Sequence, residues 1–298
     1  MSADNHPSPQ YNPRDEKASF NYMSWQDIYK TEKPFQVLID IPKDSPDQRH
    51  TNVEYAAGPE EIVRDVRGRE HVFSMDLNGF EYVKAASSLD YAGFADAAVI
   101  KREYIPECIA LLKRVVPDVK GVRVFGWRKR KTGQLPTEGQ RVNFGSSETV
   151  LGPAVSPHVD QSPRAVVEMV KMRFPEEADQ LLRGRVRIIN IWRPINGPVK
   201  DWPLAVADAR TVAPSSLVEV DRIRASYHGP TYFLVQQDGL AWHYLSEQQN
   251  DEVLFLKIFD SKDGVANNCV HSSFKLQNPP EDAPVRESIE VRMMVFSP

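Results

Sequence analysis

The sequence predicts a mainly β protein, a barrel or sandwich core with helical cover. Three observations carry that reading. Short strand-like runs recur from Phe35 to the far end of the chain, separated by Pro, Gly, Asn and Asp. Helical periodicity is mostly confined to the first half. No internal repeat or convincing linker divides the 298 residues, which suffice for one sizeable core.

Residues 1–30 are rich in Asn, Ser, Pro, Asp and Lys, so they are expected as a disordered or loosely docked arm, with Tyr22, Trp25 and Tyr29 available to pin its end. Residues 31–298 are expected as a single domain. It opens with a small N-terminal β element: Phe35 to Ile41, Glu61 to Val66 and His71 to Met75, followed by the turn Leu77-Asn78-Gly79-Phe80. Tyr104 to Val116 carries a helical stripe stopped by Pro117. Gly121 to Trp127 alternates as a strand, and Arg128-Lys129-Arg130-Lys131 continues it as a basic run, a pattern usual for a solvated edge. Thr132 to Ser147 reads as a mobile connection.

Ser162 and Pro163 form a helix start, with the helix running to Arg173, pausing at Pro175 and resuming to Leu182. Val186 to Arg193 is a strong strand ended by Pro194. Pro203 to Asp208, Leu217 to Ile223, Thr231 to Gln236, Glu252 to Phe259 and Val285 to Phe296 supply the rest.

Composition narrows the function classes. Hydrophobic residues make up 41% and charged residues 26%, ordinary for a globular protein. A net charge of -4 and a pI near 6.0 favour a small-molecule partner over nucleic acid or an anionic membrane. Two cysteines, Cys108 and Cys269, cannot make a disulfide framework, and no apolar secretory segment is evident near Met1. A cytoplasmic location is expected; the oligomeric state is left open.

The chemistry centres on Pro157-His158-Val159-Asp160. In a strand, residues i and i+2 share a face, so His158 and Asp160 would present an imidazole and a carboxylate side by side. That is two-thirds of a facial metal site, whose third ligand must come from far along the chain. His6, His50, His71 and His228 sit in the arm, the N-terminal element or a turn. His271 and His243 remain, with His271 in the better surroundings before a loop and the last strand. On that strand Arg286, Ser288, Glu290 and Arg292 share one face and Ile289 and Val291 the other. A polar face so late in a barrel makes sense if the barrel mouth holds an anion, because arginine grips carboxylates bidentately and serine adds a donor.

In this order, His158-x-Asp160, His271 and Arg286-x-Ser288 resemble the Fe(II)- and 2-oxoglutarate-dependent dioxygenases. Arg64 to Arg67, Phe73 to Phe80, Asn190 to Pro194, Pro203 to Ala205, Asp251 to Val253, Phe259 to Ser261 and the closing Val285 to Arg292 are similar to the hydroxylase/desaturase family, which includes the cephalosporin methoxylation component and the fungal gibberellin desaturase. The likeness runs from about residue 35 onward. It implies a double-stranded β-helix, the jelly-roll or cupin-like core. It also implies iron on His158, Asp160 and His271, with 2-oxoglutarate held by Arg286 and Ser288 and O2 as the other co-substrate. The implied reaction is hydroxylation or desaturation of a small organic molecule of secondary-metabolite type. His243 stays open as the third ligand. The separation from His271 to Arg286 exceeds that of plant-type enzymes, which keeps Arg292 open as the clamp. Arg193, Trp242 and His243 are candidate substrate contacts. A zinc hydrolase on the same triad and a catalytically silent β-barrel binding protein are the rival readings.

Overall fold

A computed structural model describes residues 14–134, 149–224 and 228–298. Its frame is two sheets. The larger contains nine strands, ordered Glu16–Ala18, Glu61–Asp65, Trp242–Tyr244, Leu204–Ala207, His271–Ser273, His158–Val159, His228–Leu234, Leu217–Ile223 and Phe35–Val37. The smaller contains five, ordered Phe80–Lys84, Glu252–Asp260, Arg185–Pro194, Glu287–Ser297 and Gly121–Lys131. One apolar cluster draws Val159, Val206 and Leu234 from the first sheet and Phe80, Trp192 and Leu256 from the second, so the sheets share a core. This is the expected double-stranded β-helix.

The helical cover explains an otherwise odd strand. Arg185–Pro194 is buried along nearly its whole length, with Ile188 and Trp192 in the shared core and Ile189 and Ile191 in a second cluster outside it. A strand with helix behind it and sheet before it reads as a continuous apolar run rather than an alternating one. The helix Ile105–Val115 supplies the outer layer through Cys108, Leu111 and Leu112. Its periodicity predicts a start at Tyr104, but helical backbone begins at Ala97, where the Asp96 carboxylate accepts from the amides of Ala98 and Val99. A π-turn over Ile100–Tyr104 separates the two parts, just before Pro106, which has no amide hydrogen for the regular ladder.

The helix Pro163–Arg173 starts as expected, with Ser162 Oγ accepting from the Ala165 amide at 3.3 Å and Pro163 in the first turn.

Three local expectations change. His71 to Met75 is not a strand: a 3-10 turn spans Glu70–Val72 and a helical turn spans Met75–Asn78, capped by Ser74. Gly79 ends that turn at φ 84, and a Cβ there would meet the Asn268 carbonyl at 2.6 Å. The other two expected strands join the large sheet instead of pairing with each other: Phe35–Val37 pairs in parallel with Leu217–Ile223, and Glu61–Asp65 in parallel with Trp242–Tyr244. Parallel partners lie far off in sequence, so no local pattern announces them. Of the expected arm, residues 1–13 lie outside the described residues. Beyond them Phe20, Tyr22 and Met23 are buried, and Phe20 stacks on Trp242 at 4.3 Å. The expected mobile connection falls, from residue 135 on, outside the described residues.

Candidate metal centre

His271 and His158 are direct partners in an antiparallel pair, so their side chains leave the same face of the large sheet. Asp160 follows two residues after His158. The ring centroids of the two histidines lie 4.5 Å apart, and His158 Nε2 is 3.5 Å from Asp160 Oδ1. One ligand atom from each of the three lies within 4.8 Å of the others, and this is the one such group found among the described residues.

Backbone carbonyls set the tautomers. His158 Nδ1 is 2.8 Å from the Ser156 carbonyl, and His271 Nδ1 is 3.1 Å from the Cys269 carbonyl. A carbonyl only accepts, so each Nδ1 carries the hydrogen and each Nε2 keeps a lone pair for a cation. Burial pushes His271 down to about 4, which keeps it neutral. Burial alone would raise Asp160, but Arg292, with His158 and His271, outweighs it and holds the carboxyl well below the usual range. Two imidazoles and one ionised carboxylate on a shared face suit Fe(II).

Asp160 is braced from the opposite sheet. Asn190 Nδ2 donates to its Oδ2 at 2.9 Å, and Arg292 Nη2 lies 3.3 Å from the same oxygen, leaving Oδ1 toward the imidazole. Arg292 Nε also donates to Glu290 at 2.7 Å. Asn190 was not singled out in the sequence. Its signal was there: one amide inside the apolar run Ile188-Ile189-Asn190-Ile191-Trp192, whose burial calls for a partner.

Arg286 is 1% exposed. Its Nη1 donates to the Trp202 carbonyl at 3.2 Å and Ser273 Oγ at 3.1 Å, while Nε and Nη2 are buried with no partner. Burial pushes its pKa down to about 9. Two rulers place it beside the triad. Ser273 is two residues from His271 on the same strand face, and the guanidinium sits 5.9 Å from the ring of Trp192, two residues from Asn190. Ser288, buried, lies in the strand Glu287–Ser297, two residues after Arg286, which immediately precedes that strand.

The other candidates are not brought to this group. Arg193 points to the outer, helix-covered face, where Nε donates to Tyr104 Oη at 3.0 Å and Nη1 to the carbonyls of Ala85 and Asn250. Strand alternation explains this, since Asn190 and Trp192 face inward. Trp242 stacks in the core with its Nε1 donating to Tyr22 Oη at 3.2 Å. His243 lies among Phe73 and Phe80, pushed by burial to about 4. Cys269 meets the site through its carbonyl, not its thiol.

The basic run needs correction. Arg128 and Arg130 line a cavity of about 250 Å³ that includes His158 and Asp160, while Lys129 and Lys131 turn the other way, to the Phe94 carbonyl and Glu287. The run does lie on the edge strand of its sheet, but alternation along that strand turns Arg128 and Arg130 into the cavity rather than to solvent.

A family described as "Oxidoreductase/YMDC permease-like domain" matches residues 20–296. "Fe(II)/2-oxoglutarate-dependent dioxygenase nvfI" of Aspergillus novofumigatus is 33% identical over 78% of this chain and 81% of its own length. "Hydroxylase/desaturase efuI" of Hormonema carpetanum is 33% identical over 83% and 86%. "Aspirochlorine biosynthesis protein N" of Aspergillus oryzae is 45% identical over 46% of this chain, and the match spans 58% of that protein. The solved structure of "iron and alpha-ketoglutarate-dependent endoperoxidase NvfI" superposes with a TM-score of 0.80 at 29% identity, covering 95% of this chain and 98% of that one.

Proposed function

This chain belongs to the Fe(II)/2-oxoglutarate-dependent dioxygenases of the hydroxylase/desaturase type, and from that premise we propose that His158, Asp160 and His271 hold the iron and that Arg286, with Ser288, holds 2-oxoglutarate. The observation that carries the reading is the pair of buried, unpartnered donors on Arg286 beside two imidazoles whose Nδ1 atoms face backbone carbonyls. A guanidinium this deep is costly unless an anion completes it, and the distal carboxylate of a dicarboxylic acid fits a two-donor edge. Arg292, the alternative clamp, is already matched by Asp160 and Glu290. Neither a zinc hydrolase nor a silent barrel has a use for Arg286.

Iron with 2-oxoglutarate and O2 supplies an oxidant able to take hydrogen from an unactivated C–H bond. The chain's own contribution is positional. The carbonyls of Ser156 and Cys269 lock both Nε2 atoms toward one point, and Asn190 and Arg292 fix the carboxylate rotamer. The neighbouring cavity seats the substrate. That substrate is proposed to be a small secondary-metabolite-like molecule, undergoing hydroxylation or desaturation, in line with the names its relatives carry. Two buried free thiols support a reducing, cytoplasmic setting. No helix among the described residues is long and apolar enough to cross a membrane.

Anaerobic addition of Fe(II) and 2-oxoglutarate should give a weak visible charge-transfer band. His158→Ala and His271→Ala should abolish it, Arg286→Ala should weaken it, and His243→Ala should leave it. A band that survives His271→Ala and disappears with His243→Ala would overturn the ligand assignment.

A further inference from the structure

A second cavity, of about 480 Å³, adjoins the start of the helix Pro163–Arg173, and none of His158, Asp160, His271 or Arg286 lines it. Its walls come from parts of the chain far apart in sequence, among them Leu77, Val212, Tyr232 and Phe259. Tyr232 is the strand partner of Val159, so its side chain leaves the large sheet on the face opposite His158. A space of this size, walled mostly by apolar surface, is of the kind that holds a small molecule.

Two observations point to an occupant. Gln161 lines the cavity and is only 8% exposed, yet its Oε1 is buried with no hydrogen-bond partner. A buried amide oxygen is costly unless a donor completes it. Leu77, 61% exposed, adds apolar surface that an occupant would cover.

Electrostatics sets the class of that occupant. The ionised residues of the described lining are Asp76, Arg210 and Asp260, and each is already matched within the protein. Lys257 lies 2.6 Å from Asp76, Asp208 lies 2.6 Å from Arg210, and Arg185 lies 2.6 Å from Asp260. An entering ion would therefore lose its hydration without gaining a free counter-charge. The carbonyl end of a glutamine only accepts, so the ligand must supply the hydrogen.

We propose that this cavity is a second binding site, taking a neutral, largely apolar molecule whose hydroxyl or N–H donates to Gln161 Oε1. The inference does not depend on the iron-oxygenase reading. Gln161 follows Asp160 and is the one described residue common to this lining and that of the metal-side cavity, so the test must tell the two cavities apart.

Equilibrium dialysis of the full chain against 2-naphthol and 2-methoxynaphthalene does so. The naphthol should bind about tenfold more tightly than its ether, which has no hydrogen to donate. Mn(II) and 2-oxoglutarate, added together, should leave its affinity unchanged. Gln161→Met should weaken the naphthol about tenfold and leave the ether alone, erasing the preference. Val212→Trp and Ala209→Trp, either one guarding against a folding defect in the other, should fill the cavity and remove binding of both compounds. Absence of naphthol binding, equal affinity for naphthol and ether in the wild type, or a preference that survives Gln161→Met would overturn the proposal. Full binding in both tryptophan variants, or displacement of the naphthol by Mn(II) with 2-oxoglutarate, would also overturn it by placing the molecule elsewhere.

Discussion

Asn190 braces one of the proposed metal ligands without being a ligand itself. Its amide nitrogen faces Asp160, while its Oδ1 is buried with no partner. Asn190→Leu therefore removes both a brace on the carboxylate and an orphaned acceptor of similar size. Stability should change little, yet iron affinity should fall by about 10- to 100-fold, the usual effect of losing a group that orients a ligand. Fe(II) titration alongside urea unfolding separates the two. Unchanged iron affinity would mean that Arg292 alone positions Asp160. At this scale the sequence was informative where spacing is local: His158 and Asp160 share a face because they are two residues apart. It was silent on Arg128 and Arg130 as cavity residues, since a run of four basic residues looks the same whether a strand buries one side of it or neither.

Elements reveal a different limit. Strands with antiparallel neighbours and clear turns, such as Leu217–Ile223 and Glu252–Asp260, were readable because apolar content and flanking residues are local properties. The parallel partners of Phe35–Val37 and Glu61–Asp65 were not, because each closes a loop of well over a hundred residues. His71 to Met75 misled for a related reason: its apolar residues contact distant strands, and Ser74 and Gly79 act as helix caps rather than strand boundaries. The helix Ile105–Val115 combines both lessons, since its stripe was visible while the sheet it covers was not. Leu112 of that helix, fully buried in the cluster that also holds Ile189 and Ile191, should cost about 2–5 kcal/mol when truncated to alanine. The charge-transfer band should remain, because the cluster lies on the far side of the strand from Asn190. A denaturation midpoint close to wild type would show that the helix is only loosely attached.

For the molecule as a whole, the proposed metal centre is where the two sheets are tied together through polar groups. His158 and His271 belong to the nine-stranded sheet, whereas Asn190 and Arg292, which hold Asp160, belong to the five-stranded one. An unfolded chain cannot assemble the proposed ligands, drawn from residues 158, 160 and 271, so metal binding there would add to the free energy of folding. A ligand present at a hundred times its dissociation constant contributes about 2.7 kcal/mol. For a chain of this size that corresponds to a rise in melting temperature of about 4 °C. Mn(II), which is quiet toward oxygen, should raise the midpoint by that order, and EDTA should reverse it. Adding 2-oxoglutarate should raise it further in wild type. His158→Ala should lose both increments, whereas Arg286→Ala should keep the metal increment and lose the second. A midpoint indifferent to Mn(II) and EDTA would show that these three side chains do not share an ion, whereas a full 2-oxoglutarate increment in Arg286→Ala would move the clamp to another arginine.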